Sequence, residues 1–179
     1  MYLIQLLNHH IGIDRRYLCT LLALSLLGSN INVPLTRLGG GADGGPPGGT
    51  LLAVNVGGAL IPSALSAYLL MYCGSILGAL LGVAVVAVVV HRIARPVAQL
   101  GITVPLFVPP LVAAAAALVL APSAAPAVAY IAGSLGTLIG ADLTNLARLR
   151  TLAAPVASIG GAGTFDGVFL TGILAVLLA

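Results

Sequence analysis

Scarce charge, six apolar runs and one stretch of two-residue alternation predict an all-α transmembrane fold. The expected form is a bundle of about six helices, with a β-hairpin at one membrane face formed by about residues 31–56. Of 179 residues, 60% are hydrophobic and 6% are charged, and the mean hydropathy is +1.16. A soluble domain carries about a quarter charged residues. The side chains that would cover a water-facing surface are missing, so the chain is expected in a lipid bilayer. Six helices in this length leave little outside the membrane, which predicts one domain over residues 1–179.

The elements follow from composition and punctuation. Residues 1–13 are apolar around a polar insert, His9 and His10, and are expected at the interface or at the start of the first span. Asp14, Arg15 and Arg16 precede an apolar run read as a first helix over 17–29. This resembles a signal peptide, but the rest of the chain is equally hydrophobic, so no cleavage is expected. Ile31, Val33 and Leu35 then alternate with Asn32, Pro34 and Thr36, the period of a strand. A Gly/Pro-rich loop and a second β-prone run, 50–56, complete the hairpin, with Pro34 expected on an edge strand. Further helices are predicted over 59–73, 76–90, 104–121, 127–146 and 164–179. Pro62 sits in a first turn, where a missing N–H is tolerated.

Charge gives sidedness and excludes some functions. There is no Lys and no Glu; the seven cations are all Arg, and the acids are Asp14, Asp43, Asp142 and Asp166. A net charge of +3, dispersed over segment ends, does not suit nucleic acid. Arg37, Arg92, Arg95, Arg148 and Arg150 fall on one side of the predicted spans, and Arg15 and Arg16 on the other. The positive-inside rule makes the five-Arg side cytoplasmic, while the pair before the first helix argues the opposite. Arg in place of Lys, with many Ala, suits a GC-rich prokaryotic genome, and the expected location is the cell (inner) membrane, crossed several times. Cys19 and Cys73 lack metal-ligand spacing and read as small core side chains. No metal and no cofactor are expected.

Asp142 lies near the end of the predicted fifth helix, and Asp166 opens the sixth. With only a loop between them, both carboxylates belong at similar depth on one face. His91, Asn32 and Asn55 fall on that face too. Gly160, Gly161 and Gly163 break the chain before Asp166 and lack the lysine of a phosphate loop. Gly133, Gly136 and Gly140 form a small-residue stripe that reads as helix packing. Each acid also has a structural reading. Asp166 can cap a helix N-terminus, and Asp142 can pair with Arg148 or Arg150. Asn32 and Asn55 can satisfy hairpin backbone, and His91 can mark the interface beside Arg92.

At GTLIGADLTNL, SIGGAGTFDGVFLTG and VNVGGALIP the chain resembles a family of small prokaryotic membrane proteins known only as a domain of unknown function, from about Gly28 onward. A looser resemblance is to the intramembrane aspartyl proteases of the presenilin and signal-peptide-peptidase group. Their Gly-x-Gly-Asp motif opens a helix, and GAGTFDGVF is similar, with two residues between Gly163 and Asp166. Asp142 stands in Gly-Ala-Asp where that group has Tyr-Asp. Pro62-Ser63-Ala64-Leu65 is a distorted form of its Pro-Ala-Leu element.

Three functions follow as expectations. The first is an intramembrane aspartyl protease with Asp142 and Asp166 as catalytic pair, His91, Asn32, Asn55, Gly161 and Gly163 as accessory candidates, and a transmembrane peptide segment as substrate. The second is a proton- or cation-coupled transporter or channel using the same acids. Six short helices are few for a transporter unless two copies associate as a homo-oligomer. The third is a structural or assembly protein of the bilayer.

Overall fold

The computed structural model describes residues 15–38, 49–97, 101–146, 156–161 and 167–179. Helix α1 (Arg15–Gly28) leads into β1 (Asn32–Leu38), which pairs antiparallel with β2 (Thr50–Asn55). A π turn, Val56–Leu60, runs from β2 into α2 (Ile61–Tyr72). Then come α3 (Ile76–Ile93), a short ribbon of β3 (Arg95–Val97) and β4 (Gly101–Thr103), and α4 (Val108–Leu120). A 3-10 turn, Pro122–Ala124, opens α5 (Ala125–Thr137). That helix passes through a second π turn, Leu138–Asp142, into a 3-10 turn, Leu143–Asn145. β5 (Val156–Ile159) and α6 (Gly167–Leu178) follow.

The protein is thus mostly helical with a small sheet, and the predicted elements are present at close to the predicted bounds. The hairpin pairs Asn32 with Asn55 and shifts register between Pro34 and Thr36. Proline has no N–H to give a ladder, and β1 is the sheet edge in the order β1-β2-β5, which accommodates it. The third strand, β5, lies parallel to β2, with Leu51 opposite Val156 and Val54 opposite Ile159. Neither β5 nor the β3–β4 ribbon was expected. Runs of three or four residues carry too little alternation to distinguish strand from loop. Helix α4 starts four residues later than predicted because Pro105 disfavours helical backbone at Val104, while Pro109 and Pro110 sit in its first turn.

Helix α5 is the core. It packs against α2, α3, α4 and α6, and every residue from Ala127 to Ser134 is buried. Among the described residues two helices are long and apolar enough to cross a membrane: Ile76–Ile93, and Pro122–Asn145 counted through its turns. They use that composition differently. The Pro122–Asn145 window is 83% buried, but that of Ile76–Ile93 is only 28% buried. α3 buries Gly78, Ala79, Gly82, Val86 and Val90 and turns Leu77, Leu80, Leu81, Val85 and Val88 outward. An outward leucine-and-valine face is the reverse of a soluble surface helix.

The predicted glycine stripe divides between two neighbours. A Cβ at Gly133 would meet Thr171 and Ala175 of α6, whereas Gly136 and Gly140 press on α3. At Gly140 an added Cβ would stand 2.4 Å from the Ala87 carbonyl oxygen and 2.9 Å from Val90 Cβ. Backbone cannot yield as a flexible side chain can. Gly140→Ala is therefore expected to destabilise the fold by about 1–3 kcal/mol, read as a lower thermal midpoint in detergent. An unchanged midpoint would contradict the close α3–α5 approach.

Candidate functional site

The connectivity brings the sheet, both π turns, the ends of α1, α3 and α5 and the starts of α2, α4 and α6 to one end of the bundle. At its centre Asn55 ties three segments together. It is 2% exposed, and its amide donates to the Ser29 carbonyl at 2.7 Å and to Asn32 Oδ1 at 3.1 Å. Its own oxygen accepts from Gly58 N–H at 2.8 Å, capping the first π turn. Ser158 of β5 donates to Asn32 Oδ1. Asn55 therefore satisfies backbone, as its structural reading predicts, and Asn32 joins it to β5.

The second π turn shapes the neighbouring cavity. Leu143 N–H reaches back to Leu138 O as well as Ile139 O, the five-residue bond of a widened turn. In a regular helix residues 137 and 142 would point about 140° apart. With the turn widened, Thr137 and Asp142 both line one cavity of about 200 Å³. Its other walls are the β4–α4 connection, with Thr103 and Pro105, and the β5–α6 side, with Gly160, Gly161, Gly167 and Thr171.

Asp142 is half-buried, and its Oδ2 accepts from Gly160 N–H at 2.7 Å. Gly160 has φ +77, and a Cβ there would lie 2.6 Å from Gly58 C and 2.7 Å from Ala59 N. The carboxylate thus anchors a glycine wedged against the first π turn. Thr171 Oγ1 donates to Gly167 O at 2.6 Å. Thr137 is 5% exposed, and among the described residues its hydroxyl has no hydrogen-bond partner. A buried hydroxyl left unpaired costs about 1–3 kcal/mol, and this one stands in the wall of a cavity.

His91 belongs to a separate chain of bonds. Thr144 Oγ1 donates to Gly140 O at 2.8 Å and lies 2.8 Å from His91 Nδ1. The hydroxyl has one proton, already given to Gly140, so Nδ1 must carry the proton of the second bond. Asn145 adds bonds to Gly140 O and Ala141 O. These side chains add bonds to carbonyls where the π and 3-10 turns interrupt the regular helical ladder.

Of the predicted site residues, Asp142 and Gly161 line the cavity, while His91, Asn32 and Asn55 are not among its wall residues. Asp166 and Gly163 lie outside the described residues, as do Arg148 and Arg150. Thr137, Thr103, Thr171 and Gly160 were not anticipated. Their membership depends on the π turn and on β5, and only the glycine pair at 160–161 hinted at a tight backbone approach. Among the described residues no group of three His, Cys, Asp or Glu side chains could hold a metal ion.

No curated protein and no solved structure matches the chain. A family model described as "Protein of unknown function (DUF1614)" matches residues 26–178, and the chain belongs to that family.

Proposed function

We propose that the protein is an intramembrane aspartyl protease, crossing the inner membrane of a prokaryote several times and cleaving membrane-embedded peptide segments. The observation that carries this reading is that Asp142 and Gly167 line the same cavity of about 200 Å³. Gly167 is bonded directly to Asp166, and adjacent Cα atoms are about 3.8 Å apart. In this proposal the Asp166 carboxylate shares that space with Asp142; two carboxylates so placed do not both ionise easily, and one proton is held between them. One acid then takes a proton from water as the water attacks the peptide carbon, and the other gives a proton to the carbonyl oxygen. The outward Leu77, Val88, Leu111 and Val119 side chains support a lipid surround. The outer edge of β1, away from β2, offers ladder positions to an unwound substrate. The test is cleavage of a membrane-spanning reporter peptide by the purified protein in liposomes.

A proton- or cation-coupled transporter is the second reading, favoured by the break in α5 at the acid. It predicts pH-dependent ion flux that Asp142→Asn abolishes, without peptide cleavage.

Thr137 bears on either reading. Thr137→Val removes an unpaired hydroxyl and keeps the shape, so the thermal midpoint is expected to hold or rise, by up to about 1–3 kcal/mol of stability. Activity is expected to fall, because Thr137 stands with Asp142 in the wall of the cavity. A clear loss of stability would mean that the hydroxyl is bonded within the protein.

A further inference from the structure

A second cavity, of about 530 Å³, opens on the other side of the β4–α4 connection. Its lining is Arg92, Ile93, Arg95, Thr103, Val104 and Pro105. Arg92 lies in the last turn of α3, and Arg95 opens β3. Both side chains are exposed. Among the described residues neither guanidinium has an ion-pair or hydrogen-bond partner. The chain holds seven Arg against four Asp, and Asp142 faces the neighbouring cavity across Thr103 and Pro105. A cation at the end of α3 complements the helix dipole, which accounts for Arg92. It does not account for Arg95, beyond the helix, lining the same space.

We infer that this cavity binds the phosphate group of an anionic phospholipid. Two guanidiniums on one cavity suit a phosphate, which they can hold through paired N–H···O bonds. The rest of the lining is mostly apolar, and Leu106 and Phe107 stand exposed beside it. An anionic head with an apolar tail therefore fits better than a free phosphate. The site also lies at the polar end of a helical bundle with apolar flanks, the level of lipid headgroups. This inference rests on the membrane placement proposed above, but not on peptide hydrolysis.

The test is native mass spectrometry of the full chain in detergent, titrated separately with phosphatidylglycerol, phosphatidylcholine and glycerol 3-phosphate. Phosphatidylglycerol is expected to bind about tenfold or more tightly than phosphatidylcholine. Arg92→Gln with Arg95→Gln should erase that preference. Arg92→Lys with Arg95→Lys should keep most of it, and Arg37→Gln, on β1, should leave it intact. Equal binding of the two lipids, or a preference that survives the double glutamine variant, overturns the inference. Glycerol 3-phosphate binding as tightly as the lipid overturns the lipid assignment. Failure of the membrane placement is read separately, as release of the chain from membranes by alkaline carbonate.

Discussion

Asp142→Asn is expected to lower cleavage of a membrane-spanning reporter by about 10²–10⁴-fold, the usual contribution of a positioned acid or base, while the thermal midpoint stays close to that of the native chain. The separation of the two readouts follows from the bond to Gly160. An asparagine oxygen can still accept the Gly160 N–H that Asp142 Oδ2 accepts at 2.7 Å, so that anchor survives while proton exchange is lost. Asp166→Asn is expected to match it in activity. If either variant cleaves at the native rate, the protease reading fails. If both variants lose stability in step with activity, the acids serve the structure.

Gly160→Ala is expected to give the larger structural effect, because two costs fall on one methyl group. The residue has φ +77, and left-handed backbone costs a side chain about 1–2 kcal/mol. The methyl would also stand 2.6–2.7 Å from Gly58 C, Ala59 Cβ and Ala59 N, adding about 1–3 kcal/mol of overpacking. Gly74 separates the terms, since it has φ +70 with nothing within 4 Å of an added Cβ. Gly74→Ala should therefore show only the dihedral cost. Thermal unfolding of the two variants in detergent compares them. Equal losses would mean that Gly160 is not wedged between the π turns.

The helices were legible because the first five apolar runs are each closed by Gly, Pro or Arg, and the hairpin because residues 31–36 alternate strictly. Pro34 predicted its own edge position. The site was legible only in part. Asp142 stood out as an acid in an apolar helix, but its surroundings depend on a widened turn that LIGAD does not announce. In a regular helix Thr137 would face elsewhere. β5 is four residues long, and parallel pairing to a strand a hundred residues earlier leaves no local pattern. Gly136 and Gly140 were read as packing, which they are, but the sequence alone could not assign Gly133 to a different neighbour. Asn55 was read as a backbone partner, and its bonds to Ser29 and Gly58 follow from its place at the end of β2.

The central claim is that Asp142 and Asp166 share one space, and thiol proximity tests it most directly. Cys19 and Cys73 would first be replaced by serine, and Asp142→Cys and Asp166→Cys introduced together. A disulfide needs Cα atoms within about 4.4–6.8 Å. Mild oxidation in liposomes, followed by mass spectrometry of the linked peptides, reads the pair. The account predicts a 142–166 disulfide in high yield. Two thiols that each react with a small reagent, yet never join to each other, would contradict it.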